Sequence, residues 1–391
     1  IFVIILGLVK INNVVIQPIV EAQEIGDEAE TSYNDLDAKL EDIDELLGEK
    51  YYESIDQAAL NEAAYEGYVS GLGDPYTTYF SKEDYTSFME DTNGSYEGIG
   101  VVVTFGENGE DIEVLSPFAG SPGEKAGVLQ GDRILKVDGA DVSGMALEEV
   151  VKLIKGPKGT DVIVTVYRKL TDKIIDLTIT RDVINMQTVT HEMLPGDIGY
   201  MTISGFEGVT YDQFIEAYDD LEKQGQKGMI LDLRNNPGGY VHIVAKIADE
   251  LLGKGLIVYT EDKNGKKEEI YSDADHQFQK PLVILVNAYS ASASEILAGA
   301  VKDYKVGTIV GTTTFGKGVV QGTYELEDGS AVKVTVAKYY TPAGNNIHGI
   351  GIEPDIAIEL PEELQNQFRV EKDQDTQFQK AVEVMQGLLV Q

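Results

Sequence analysis

The apolar pattern changes its period along the chain, and each change marks a different kind of structure. From Ser32 to Tyr68 the spacing is helical, with Leu36, Leu40, Ile43 and Leu47 on one face until Gly48 interrupts it. A second helix is predicted over Gln57 to Ser70, ending at Gly71-Leu72-Gly73-Asp74-Pro75. From about Tyr96 to Thr180 the pattern is β-rich. Ile99 to Phe105, Asp111 to Leu115 and Asp161 to Arg168 read as strands, and two glycine turns bracket a short strand within Glu124 to Gly139. Ser143 is placed to cap a helix whose stripe is Leu147, Val150, Val151 and Ile154.

From Ile198 onward, strands and helices alternate. Gly199 to Ile203, Met229 to Leu233, Leu282 to Val286, Thr308 to Val310 and Ala331 to Tyr339 are predicted strands. Tyr211 to Gln224, Val241 to Leu252 and Ser294 to Tyr304 are the predicted helices. Such alternation predicts a mostly parallel sheet with helices on its faces, and a site at the carboxyl ends of its strands. The expected fold is therefore a multidomain α/β protein: N-terminal helices, a β-rich domain and an α/β core. A length of 391 residues suits two or three units.

The net charge of −36 disfavours nucleic acid and anionic lipid surfaces as partners. Much of the excess lies between Glu21 and Glu66, where sixteen acidic residues face Lys39 and Lys50. It reads as a solvated helical surface rather than a cation site. The absence of cysteine removes disulfides, thiolate metal sites and cysteine nucleophiles. Ile1 to Val9 is unbroken apolar sequence, too short to span a bilayer. It reads as the remnant of a signal anchor, which places the rest outside the cytoplasm at the cell membrane.

Two stretches carry the candidate chemistry. Ser290-Ala291-Ser292-Ala293-Ser294-Glu295 follows an apolar strand, and Phe315-Gly316-Lys317-Gly318 sets a lysine between glycines. The serine run has a plain structural reading, because Ser292 to Glu295 is a capping box. A serine at a strand-to-helix turn also suits a nucleophile, with the Ala293 N–H aimed at an oxyanion. Gly238 and Gly239, after another strand, would offer a second donor or simply form a tight turn.

Lys317 must be neutral to act as a base. Bringing an ordinary lysine, of pKa about 10.4, near 7.5 costs about 4 kcal/mol, and burial among Phe315, Val319 and Val320 is the expected means. Gln321 would orient the lysine only if the loop bends, because a straight strand sets the two about 13 Å apart. Gly98-Ile99-Gly100-Val101 opens a strand of the β-rich segment. A groove there would accept a peptide as an added strand and hold its terminal carboxylate. The four histidines His191, His242, His276 and His348 show no metal-ligand spacing, and neither a metal nor a cofactor is expected. A histidine-based triad stays open, with His242 the residue to test.

Taken together, these segments resemble the carboxyl-terminal processing, or tail-specific, serine peptidases from about residue 35 to the end. The matching motifs are Gly71 to Tyr79, the PDZ-like run Ala126 to Gly139, Leu231 to Gly239, Ser290 to Glu295, Phe315 to Gln321, and Tyr339 to Gly344 with Gly351 to Asp355. The resemblance implies a serine–lysine dyad supported by glutamine: Ser292 as nucleophile, Lys317 as base and Gln321 as its partner. The family's spacing of 25 residues selects Ser292 over Ser294. It further implies a PDZ domain that binds substrate tails and gates the site, and terminal helices that dimerise.

The expected domains are an anchor remnant at 1–20, a helical segment at 32–92, a PDZ domain at 96–182, a protease core at 183–360 with 60–95 packing on it, and a helical segment at 361–391. The reading is a membrane-anchored serine endopeptidase acting on protein C-termini. Its rival is a non-catalytic PDZ scaffold that binds tails without cutting.

Overall fold

The computed structural model describes residues 27–390 apart from 107–110, 274, 366 and 368–369, with side chains from residue 35. The expected anchor at 1–20 lies outside the described residues. The chain divides into two compact units, Ile1–Ala64 and Tyr65–Gln391. In the first, helix Asp27–Lys50 carries the predicted stripe, but Leu36, Leu40 and Ile43 remain about 40% exposed. Helix Gln57–Ser70 starts in this unit and buries no residue. Among the described residues no helix is long and apolar enough to cross a membrane.

The second unit holds the β-rich segment and the core. Strands Val101–Phe105, Ile112–Pro117, Asp132–Val137, Asp161–Arg168 and Lys173–Thr180 form one antiparallel sheet. Ile112, Val114, Ile134, Val162, Val164 and Val166 fill its interior, each at most 4% exposed. Helix Leu147–Ile154 adds Val150 and Ile154 to the same cluster. Its N-cap is Ala146, whose N–H donates to Glu149 at 3.1 Å. The predicted Ser143 cap is therefore wrong: Ser143 sits one turn earlier, its own N–H held by Asp141.

The core has two sheets. One runs Val189–Leu194, Ile198–Ile203, Gly228–Asp232, Leu282–Val286, Thr308–Gly311 and Ile356–Ala357, antiparallel at its first pairing and parallel at the other four. Its two central strands are buried at every residue, which explains their unbroken apolar runs. Met229, Leu231, Ile284 and Val286 face helices Thr210–Lys223, Val241–Leu251 and Ala293–Tyr304. Ile230, Val283 and Leu285 face helix Thr376–Leu389 through Ala381 and Met385. At about 1.5–3 kcal/mol per buried aliphatic side chain, this double-faced burial anchors the strand ends that carry the site.

The second core sheet corrects the expected mostly parallel architecture. Thr78–Phe80, Ala331–Tyr340, Gly255–Asp262 and Lys267–Ser272 pair antiparallel in that order, with Val319–Glu325 also on Ala331–Tyr340. The core thus combines four parallel with five antiparallel pairings. These hairpin strands keep one face wet and carry charges such as Lys267, Glu268 and Glu269, which masks their alternation in the sequence.

Candidate active site

The strand Leu282–Val286 ends in a turn that leads into helix Ala293–Tyr304. Its three serines differ sharply. Ser290 is fully buried and donates to the Leu233 carbonyl at 2.8 Å. Ser294 is fully buried and donates to the Asn236 carbonyl at 2.9 Å. Ser292 is half-buried, has φ 54° and ψ −113°, and its hydroxyl makes no capping bond. A non-glycine residue in that backbone region is strained, at a cost of about 1–3 kcal/mol. The capping reading of Ser292 therefore holds only for the opposite half of the box, in which Glu295 accepts from the Ser292 N–H at 2.8 Å.

Glu295 does more than close that turn. Its side chain is fully buried and accepts from Thr314 Oγ1 at 2.6 Å, Gly316 N at 2.7 Å and Lys317 N at 2.9 Å. One carboxylate thus ties the serine turn to the lysine loop, its desolvation offset by four charge-assisted bonds. The Tyr339 hydroxyl, on the antiparallel sheet, donates to the Ser292 carbonyl at 3.1 Å.

Lys317 is half-buried. Burial holds its amine below the ordinary lysine range, with Lys333 adding repulsion while Asp74 and Glu295 pull the other way. The apolar cover is only partly the predicted one. Val319 is buried, but Phe315 is 55% exposed, and the ring over the amine is Tyr76, 4.8 Å from Nζ to the centroid. Among the described residues no hydrogen bond joins Lys317 Nζ to Ser292 or to Gln321. Gln321 sits at a bulge in strand Val319–Glu325, and its amide donates to Thr335 Oγ1 at 3.2 Å.

The glycine turn lies against the serine. A Cβ on Gly238 would stand 2.7 Å from Ser292 Cβ and 3.0 Å from Ala293 N, and φ is 110°. Only glycine fits there. The Gly238 N–H donates to Asn236 Oδ1 at 2.9 Å, so that amide is engaged in this arrangement. Asn236 is fully buried and also receives the Ala291 N–H, which locks the two strand-end loops together. Beneath them, Arg234 pairs with Asp232 at 2.7 Å and with Asp375 at 2.8 Å, the cap of helix Thr376–Leu389. Glu295, Tyr339, Asn236 and Tyr76 were given no role by sequence reasoning, although each lies within one of the motifs that carry the resemblance, and Glu295 also closes a capping box.

Among the described residues no hydrogen bond joins a histidine to Ser292, and His348 meets the Tyr76 ring edge-on. His242 lies against the Tyr240 ring, tilted at 41° with centroids 4.8 Å apart, and burial and Lys246 hold it below the ordinary histidine range. His191 pairs with Asp220, and His276 faces Glu250. No group of three or more metal-ligating side chains occurs among the described residues.

In the β-rich segment, Val101–Phe105 is the end strand of its sheet. The Gly98-Ile99-Gly100 loop leads into it. Ile99 is itself core at 2% exposure, and Gly100 has φ 70° with no room for a Cβ against Ser121. Lys155 flanks the loop. It pairs with Glu90 at 2.6 Å and lies over the Tyr96 ring.

Comparison with known proteins places these features. Residues 197–358 match peptidase family S41, residues 113–168 match the PDZ domain, and residues 9–84 match the N-terminal domain of the activating protease CtpB. The carboxy-terminal processing protease CtpA of Bacillus subtilis (strain 168) is 42% identical over 83% of this chain and 69% of its own length. The carboxyl-terminal-processing protease of Synechocystis sp. is 37% identical over 88% of this chain and 81% of its own. A solved photosystem II D1 C-terminal processing protease is 35% identical over 82% of this chain and 87% of its own, with a TM-score of 0.48. The chain belongs to the carboxyl-terminal processing proteases of peptidase family S41, serine proteases that carry a PDZ domain.

Proposed function

We propose that the chain cuts protein substrates near their C-termini with a Ser292–Lys317 dyad. The observation that carries this reading is the contrast among the three serines: Ser292 alone has a hydroxyl free of the scaffold, on a strained turn clamped to the lysine loop by Glu295. Neutral Lys317 takes the proton from Ser292 Oγ as it attacks the scissile carbonyl, and returns it to the leaving amine. The acyl-enzyme is then hydrolysed by water. Ala293 N–H, at the amino end of its helix, and a Gly239 or Gly238 amide stabilise the oxyanion. The Lys317 side chain turns from Tyr76 to Ser292 on the clamped loop, and Gln321 then orients it.

Substrate tails bind along Val101–Phe105, with the terminal carboxylate at the Gly98-Ile99-Gly100 loop. The outer edge of that strand, unpaired among the described residues, supports this docking mode. The apolar run Ile1 to Val9 supports an extracytoplasmic chain held at the membrane, and the uncovered stripe of helix Asp27–Lys50 supports pairing of two copies.

The test is cleavage of an unfolded protein by serine and lysine variants. Ser292→Ala and Lys317→Ala lose cleavage and keep tail binding, whereas Ser294→Ala keeps cleavage at reduced stability. Normal turnover by either of the first two variants refutes the dyad.

A further inference from the structure

The segment Gly71 to Tyr79 stands out in the sequence, yet the dyad leaves it without a role. In the fold it runs beside the base. Strand Thr78–Phe80 pairs with Ala331–Tyr340, setting Thr78 opposite Lys333. Just before it, Asp74 accepts from the Tyr76 N–H at 3.0 Å and from Thr77 Oγ1 at 2.6 Å. Burial opposes the ionised Asp74 carboxyl, but the bonds from Thr77, Thr335 and Tyr76 outweigh it and hold the group below the usual carboxylate range. Thr77 Oγ1 in turn receives the Thr335 N–H at 3.1 Å, and Thr335 Oγ1 receives the Gln321 amide. The result is a fixed tether that fastens Tyr76 to the strand carrying Gln321. The Tyr76 ring meets His348 edge-on at 6.3 Å between centroids and covers the Lys317 amine at 4.8 Å.

We propose that Tyr76 is a positioning residue for the base: its ring roofs the Lys317 amine and shuts water out on that side. This deepens the assignment of Lys317 as base and rests on it. The tyrosine has two opposed effects. Its ring face attracts an ammonium, and its bulk denies that ammonium water. The attraction of a ring face for an ammonium is worth about 0.5–1 kcal/mol at a partly exposed site, and on this proposal the water shut out by the ring over this half-buried amine outweighs it. The charged groups around the amine are Lys333 from strand Ala331–Tyr340, Asp74 from the tether and Glu295 from helix Ala293–Tyr304. His348 stands behind the tyrosine. From the lysine loop itself Phe315 is 55% exposed while Val319 is buried. Tyr76 adds aromatic cover directly over the amine.

The experiment follows kcat/KM against pH for the full chain, with a dye-quenched unfolded protein as substrate. Tyr76→Ala should move the acid limb up by about one pH unit and lower turnover near pH 7 about tenfold, with KM unchanged. Tyr76→Gln keeps the reach of the side chain and places an amide over the amine. It should move the limb the same way, and it decides the matter if the alanine variant does not fold. Tyr76→Phe, which returns the ring face, should restore the limb. An acid limb that stays in place or moves down in the alanine and glutamine variants, or that phenylalanine does not restore, overturns the proposal. Cleavage by Lys317→Ala is a separate result, and it would instead overturn the base assignment.

Discussion

Replacing Glu295 by glutamine isolates the clamp between the proposed nucleophile and base with almost no change in side-chain volume. The carboxylate accepts four bonds, two per oxygen: Oε1 takes Thr314 Oγ1 and Gly316 N, and Oε2 takes Ser292 N and Lys317 N. A glutamine has one acceptor oxygen, so its NH2 group must face one of these pairs. The milder choice turns it toward Thr314, whose hydroxyl can accept, and leaves the Gly316 N–H without a partner. An orphaned buried donor costs about 1–3 kcal/mol, and the surviving bonds lose their charge assistance. The expected loss of folding stability is therefore about 3 kcal/mol, readable from urea unfolding of the variant.

The catalytic effect of Glu295→Gln should be of similar size. A shift of about 1 Å between reacting groups costs about a hundredfold in rate, and the clamp holds both the Ser292 N–H and the Lys317 N–H. Turnover should fall at least a hundredfold with KM nearly unchanged, because Glu295 is fully buried and contacts no substrate. Glu295→Asp keeps the charge, falls short by one methylene, and should lie between the two. If Glu295→Gln unfolds at the wild-type urea concentration and turns over normally, the clamp is not what holds the dyad together.

Two further outcomes follow from the same geometry. Arg234→Ala leaves Asp232 and Asp375 buried without their cation and should cost about 3–5 kcal/mol, with protection of helix Thr376–Leu389 against hydrogen exchange lost first. Lys317→Met should stabilise the fold at neutral pH, as measured by denaturation across pH. The folded lysine has a depressed pKa, so the unfolded chain binds more protons between that value and 10.5; this penalty is full below the window and fades as pH rises through it. A methionine variant no more stable than wild type at pH 7 contradicts the burial argument.

What the sequence made legible was whatever lies close along the chain. The serine run after a buried strand, the glycine turn and the lysine loop are all local, and their positions follow from apolar runs and turn residues. The sequence did not reveal which serine is free, because the acceptors that engage Ser290 and Ser294 are the carbonyls of Leu233 and Asn236, on another loop. Spacing pointed to Ser292 only through the resemblance. The geometry reaches the same residue by elimination, since its two neighbours are fully engaged in holding the loops together. The lysine's surroundings were misread for the same reason. Phe315 looked apolar and near, yet the ring that covers the amine comes from far along the chain, in a motif whose place beside the lysine shows only once its three-residue strand has paired. Of the antiparallel sheet that delivers it, the strand Ala331–Tyr340 was legible, but its partners and their antiparallel pairing were not. The site is thus assembled from two kinds of information: parallel strands that place the serine and glycine turns, and an antiparallel sheet that brings Gln321, Tyr339 and the segment bearing Tyr76 around the amine. The first is written in unbroken apolar runs, and the second exists only once the strands have paired.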